Sequence, residues 1–306
     1  MDNAPAHPWP PDGPFDAALI RLPKGRQAQE MVLHAAASVV RPMGHIYLYG
    51  TNDEGIRSMG KRLQQMFGAA QTIDARKHSR VYQAPREAEI EGLKPRLADW
   101  ALQWTLELEG ISRPWLSYPG LFAHGRLDDG TRLLLKTLPS NLPGCVLDYG
   151  CGTGIIGAAI LHRQPQAQVE LIDIDALAVA AARTNVPGAR VTLGANLDAV
   201  QIGTYGLIVS NPPIHTGKGE DHRVLEHLIA KAPSHLTTEG VLMMVLQRRV
   251  HVEHLLEPRF REVSIVGESS RYRIWRAAGP QPDRTGIHDT NLNPTPPRQR
   301  LRRRRR

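Results

Sequence analysis

CVLDYGCGTGIIGAAI, residues 145–160, decides how the rest of the chain is read. Val146–Tyr149 has the apolar run of a buried strand, and residues through His162 continue as a helix. Between them stand Gly150, Gly152 and Gly154. Glycine lets a strand turn tightly into a helix and lets a ligand approach the main chain. In an open α/β sheet such a turn lies at the C-terminal edge of the strands, where ligands bind. Taken alone, the spacing also fits a dinucleotide site or a purely structural turn.

The neighbouring residues narrow the choice. Asp148, two residues before the first glycine, is typical of S-adenosyl-L-methionine sites, whereas dinucleotide folds prefer an apolar residue there. Asp173 ends the next strand, Val169–Ile172, at 23 residues past Gly150. A carboxylate there can accept hydrogen bonds from both ribose hydroxyls, and Asp175 is the better placed cap for the helix that follows. Asn196, in LGANLD, either offers its amide to the adenine amino edge or is a plain turn residue.

The second motif follows the glycine turn by about 57 residues, in Ser210-Asn211-Pro212-Pro213-Ile214-His215. Two prolines fix φ and remove two backbone donors. What remains is a stiff ledge of acceptors, the Asn211 side-chain oxygen and the Pro212 carbonyl. A planar exocyclic amine held there has its lone pair aimed forwards, so orientation supplies much of the catalysis. Asn211, Pro212 and Pro213 are therefore the catalytic candidates; Asp148, Gly150, Gly152, Gly154, Asp173 and Asn196 are the cofactor-binding candidates. His215 either receives the released proton or is a surface histidine.

The short apolar segments continue in alternation with helical ones: a helix at 176–184, strands at 190–193 and 207–210, a helix at 223–235, a strand at 241–246, a helix near 251–256, and strands at 262–266 and 272–276. Such alternation implies a mostly parallel sheet of seven strands with helices on both faces. Upstream, FDAALIRLP (15–23) aligns with YGLIVSNPP (205–213) at an offset of 190, and Gly44 matches Gly240 at 196. Residues 15–92 thus read as a degenerate copy of the back half of the catalytic fold. The copy has no glycine loop and carries Arg21 where the other half has Asn211. Arg21, Lys24 and Arg26 there are either phosphate contacts or a solvated basic loop. Residues 1–14 and 279–306 are expected to be disordered, 93–114 to form a linker helix, and 115–278 to be the catalytic domain.

VLDYGCGTG, IDID and SNPPIH, in this order and spacing, resemble a class I S-adenosyl-L-methionine-dependent methyltransferase with its Rossmann-like fold. YPGLFAHGRLDDGTRLLL (118–135) and the degenerate first half resemble the RsmC/RlmG family of ribosomal RNA guanine-N2 methyltransferases. The resemblance implies methyl transfer to the N2 amine of a guanine in ribosomal RNA. It also implies that Phe122 to Thr131 cover the methionine end of the cofactor. Ile214, where the family carries an aromatic, would pack against the extruded base beside His215. The implied partner is ribosomal RNA or a ribosomal subunit, with the enzyme a monomer in the cytoplasm and off the membrane.

Composition sets the outer bounds. Of the net charge of +8, the last 28 residues carry eight arginines against Asp283 and Asp289, leaving only +2 for the body. That tail is either a phosphate-backbone contact or a solvated end. Two cysteines, Cys145 and Cys151, exclude a disulfide scaffold or zinc finger and suit a reducing compartment. The N-terminal segment lacks the apolar stretch of a signal peptide. Two rival readings stay open on the residues: an amino-group methyltransferase on a protein glutamine, a DNA adenine or a small molecule, and a non-catalytic RNA-binding protein with a relict pocket.

Overall fold

A computed structural model describes residues 6–87, 89–201, 204–213 and 223–281. The first half folds as β1 (Phe15–Arg21), α1 (Arg26–Val39), β2 (Val40–Thr51), α2 (Met59–Phe67), β3 (Gln71–Arg76) and β4 (Ser79–Pro85). A hairpin, β5 (Leu102–Leu108) and β6 (Ile111–Ser117), leads into α3 (Asp129–Thr137). The second half continues with β7 (Cys145–Tyr149), α4 (Ile155–Arg163), β8 (Gln168–Asp173), α5 (Ala176–Asn185), β9 (Arg190–Leu193) and β10 (Tyr205–Ser210). It closes with α6 (Arg223–His235), β11 (Leu236–Gln247), α7 (Glu253–Leu256), β12 (Phe260–Glu268) and β13 (Tyr272–Pro280).

The large sheet has seven strands in the order β12-β13-β11-β10-β7-β8-β9, and only β13 runs against the others. Period-two alternation sends each strand's side chains to two separate cores. Val146, Leu171, Val209 and Val245 pack under α3, α4 and α5. Leu147, Ile172, Ile208 and Met244 pack under α6 and α7. A sheet buried on both faces explains why these strands read as continuous apolar runs.

The small sheet, β1-β2-β4-β3, repeats one flank of the large one. β1 pairs with β2 in parallel, and β4 lies antiparallel to both β2 and β3, as β10, β11, β13 and β12 do. The same irregularity recurs at the start of each parallel pair. Between Phe15 and Ala17 the partner moves from Val40 to His45, and between Tyr205 and Leu207 from Leu236 to Val241. Gly44 and Gly240 stand at this bulge for the same reason. A Cβ at Gly44 would lie 2.6 Å from Val40 Cγ1 and 2.9 Å from the Arg41 carbonyl; one at Gly240 would lie 2.8 Å from Leu236 Cβ and 2.9 Å from the Thr237 carbonyl. Among the described residues the small sheet has no counterparts of β7, β8 and β9.

Two expectations need correction. Residues 93–114 hold no α-helix; Leu97–Trp100 is a short 3-10 turn, and the β5–β6 hairpin starts at Leu102. Its alternation, with Leu106 and Leu108 buried and Gln103 and Glu107 exposed, is a strand pattern. Glu109 and Gly110 both take positive φ, the two-residue turn that matches strand twist. Residues 6–14 also take a defined path, because a large indole finds a partner: Trp9 Nε1 donates to the Pro95 carbonyl at 3.0 Å. Residues 1–5 and 282–306, including most of the expected basic tail, lie outside the described residues.

The hairpin reaches the glycine turn. Trp115, fully buried, donates through Nε1 to Thr153 Oγ1 at 3.0 Å. Asn185 at the end of α5 binds Leu116 through both its amide groups, at 2.8 and 2.9 Å, and the Thr153 carbonyl at 3.0 Å. Trp115→Ala should cost about 3–5 kcal/mol of stability in urea unfolding, since it removes a core aromatic and leaves Thr153 without its indole partner. A loss below about 1 kcal/mol would show that the hairpin is not part of the folding unit.

Candidate active site

β7 and β10 pair in parallel with Ser210 opposite Tyr149. The chain therefore leaves these strands at adjacent points, Gly150 and Asn211. Ser210, fully buried, ties the two ends with a 2.7 Å hydrogen bond to the Tyr149 carbonyl. Gly150 and Gly152 hold φ of 69° and 54°. A Cβ on Gly152 would meet nothing within 4 Å, and one on Gly150 only Pro213 Cδ at 3.9 Å. The turn thus faces open space bordered by the double-proline ledge, a cradle that fits S-adenosyl-L-methionine. Gly154 has a different reason: a Cβ there would lie 2.7 Å from Val186 Cγ2, and its N–H already binds the Cys151 carbonyl. It lets α4 start against α5.

Two acidic side chains frame the turn. Asp148 is fully buried; Oδ2 accepts from the Gly157 N–H at 3.1 Å, and Oδ1 has no partner among the described residues. Burial pushes its carboxyl up to about 7, against the Gly157 bond and with help from the Asp173 charge. Asp173 also sits above its ordinary value, chiefly through burial. Its Oδ2 accepts from the Gly152 N–H at 2.8 Å and its Oδ1 from the Asp175 N–H at 2.9 Å, so the carboxylate also shapes the glycine turn. Each oxygen keeps a lone pair for a diol. Asp175 caps α5, accepting from Leu177 N–H at 2.8 Å.

Asn211 is half-buried, Pro212 buried and Pro213 exposed. The Asn211 Nδ2 group donates to Thr131 Oγ1 at 2.9 Å and to Asp128 Oδ2 at 3.2 Å. Asn196 accepts from the Asp198 N–H at 3.0 Å and caps the 3-10 turn Leu197–Ala199, so its Oδ1 is engaged and Nδ2 is the group left for a ligand. Ile214 and His215 lie outside the described residues. In the first half, Arg21 forks onto Glu54 with two 2.6 Å bonds, which hold the Glu54 carboxyl down to about 2. Arg26 pairs with Glu30 at 3.1 Å, while Lys24 is exposed. The place of Asn211 is filled there by an internal ion pair. Among the described residues no cluster of His, Cys, Asp or Glu could hold a metal.

Sequence reading placed Asp128 and Thr131 only in a segment that covers the cofactor. Their contact with Asn211 bridges about 80 residues and follows from α3 packing against the sheet; the DxxT spacing of an N-cap was the one local signal.

The family profile described as Methyltransferase small domain matches residues 114–276, and that of the Methyltransferase small domain N-terminal matches residues 2–104. Ribosomal RNA small subunit methyltransferase C of Pseudomonas entomophila is 38% identical over 87% of this chain and 80% of its own length. The protein of the same name from Stutzerimonas stutzeri is 36% identical over 88% and 80%. The chain belongs to this methyltransferase family. The family's fold is also the one seen in T. thermophilus 16S rRNA N2 G1207 methyltransferase (RsmC) in complex with AdoMet and guanosine. That structure matches with a TM-score of 0.78 at 24% identity, over 89% of this chain and 75% of that one.

The raised Asp148 carboxyl has a thermodynamic signature. The folded state keeps a proton that the unfolded chain releases near 3.8, so stability falls as pH rises from there to about 7 and is flat above. Asp148→Asn should remove that slope, gaining on the parent protein across this window in thermal melts at fixed salt. A variant that tracks the parent at every pH would show that Asp148 is ionised throughout.

Proposed function

We propose that this chain transfers a methyl group from S-adenosyl-L-methionine to the exocyclic N2 amine of a guanine in small-subunit ribosomal RNA. The observation that carries the reading is the side-by-side exit of the glycine turn and the Asn-Pro-Pro ledge from β7 and β10, with Asn211 Nδ2 engaged and its oxygen left for an incoming amine. When bound, the cofactor supplies an electrophilic sulfonium methyl. Gly150 and Gly152 admit it to the main chain, Asp173 accepts from its ribose, and buried Asp148 holds the start of α4 beneath the turn through the Gly157 N–H. Asn211 Oδ1 and the Pro212 carbonyl accept the two N2 hydrogens and hold the amine plane, which directs the nitrogen lone pair at the methyl. The guanine must be unpaired or extruded, because base pairing engages N2.

The printed names of the relatives support ribosomal RNA as substrate. The intact Asp148, Asp173 and Asn211 favour a working pocket over a relict one, in contrast with the first half, where the Arg21–Glu54 pair fills the equivalent position. Residues 15–92 and 115–278 are taken as its two domains, the first a scaffold or RNA-binding unit. No helix of the described residues is long and apolar enough to cross a membrane. The enzyme is read as a cytoplasmic monomer whose partner is ribosomal RNA or a ribosomal subunit.

Tritium transfer from labelled cofactor into small-subunit RNA, followed by digestion to nucleosides, tests this. Label should appear as N2-methylguanosine, and Asn211→Ala should lower the rate by about 100-fold with cofactor affinity retained. Equal incorporation by the variant, or label in another nucleoside, would defeat the assignment.

A further inference from the structure

The catalytic asparagine is held by two side chains at the start of α3. Asp128 and Thr131 are both buried, at the first turn of α3. Asp128 Oδ2 accepts the Thr131 N–H at 3.0 Å, as an N-cap does, and also accepts from Asn211 Nδ2 at 3.2 Å. Thr131 Oγ1 accepts from the same Nδ2 at 2.9 Å. Both hydrogens of the carboxamide are thereby directed at α3.

A carboxamide has two orientations of nearly equal shape, related by a half-turn that exchanges oxygen and nitrogen. For Asn211 they are chemically opposite. One presents an acceptor to an amine; the other presents a donor, which would repel it. A hydroxyl such as that of Thr131 can serve either orientation, because it donates as well as accepts. An ionised carboxylate accepts only, so the reversed amide would set Oδ1 against Asp128 Oδ2, lone pair against lone pair. We propose that Asp128 and Thr131 are positioning residues that lock the Asn211 carboxamide with Oδ1 facing the substrate amine, Asp128 setting the sense and Thr131 the angle. This rests on the methyltransferase reading above and adds to it what selects the reactive rotamer. The lock also couples the site to α3, whose buried face packs on the sheet through Leu134 and Leu135.

The test separates the lock from the helix cap. Thr131→Val keeps the shape and removes the acceptor; Thr131→Ser keeps the acceptor; Asp128→Ser keeps a capping oxygen but is too short to hold Asn211 as well. With small-subunit RNA, Thr131→Val should lower kcat about tenfold, and the Asp128→Ser/Thr131→Val double variant about 100-fold. KM for RNA and the Kd for S-adenosyl-L-homocysteine should stay within about twofold, and Thr131→Ser should restore kcat. Parental kcat in Thr131→Val, or a fall that Thr131→Ser does not restore, overturns the lock. Should the parent protein transfer no methyl group, the methyltransferase reading fails while the lock is still read by NMR. The Asn211 Nδ2 protons should exchange with solvent more slowly in the parent than in Thr131→Val, and equal exchange overturns it.

Discussion

The register of one strand pair governs this site. β7 and β10 lie side by side in parallel with Tyr149 opposite Ser210, and each ends where its motif begins. A slip of one residue would turn every side chain of β10 to the other face. It would bury Asn211 or aim it away from Gly150. Ser210, whose hydroxyl binds the Tyr149 carbonyl, fixes that register at its functional end. The two glycines that open the cleft and the two prolines that stiffen its rim then need no further machinery to meet. Their conformational freedom is already removed, in one case by positive φ and in the other by the pyrrolidine ring.

Around that pair the polar groups act mainly on the protein itself. Asp173, read from the sequence as a ribose ligand, also holds the Gly152 and Asp175 N–H groups. Asp148 binds α4 through Gly157. Trp115 and Asn185 fasten the hairpin to Thr153, inside the glycine turn. Each candidate cofactor ligand is thus tied to a neighbouring element before a ligand arrives, which lowers the ordering cost of binding.

The elements of the large sheet were legible because both of its faces are buried, and such strands announce themselves as apolar runs between glycine and capping signals. The bounds of β9 and α6 coincide with the expected ones, and Asp175 caps α5 as its position suggested. The likeness between halves was legible through Gly44 and Gly240, whose environments coincide. The hairpin was not recognised because its turn, Glu109-Gly110, lacks the Asn or Asp that usually marks such a turn, and half its surface is exposed. Asp128 and Thr131 could not be matched to Asn211 from the chain, since that contact is made by tertiary packing across about 80 residues. The Arg21–Glu54 pair was invisible for the same reason.

The central claim is geometric: the oxygen of Asn211 receives an amine directly in front of the methyl donor. A crystal structure of the protein with S-adenosyl-L-homocysteine and guanosine tests it most directly. The guanine N2 should lie about 3 Å from both Asn211 Oδ1 and the Pro212 carbonyl, on the side facing the cofactor sulfur, with Asn211 Nδ2 still on Asp128 and Thr131. A guanine seated with N2 turned away from that ledge, or an Asn211 amide presenting nitrogen to the base, would contradict it.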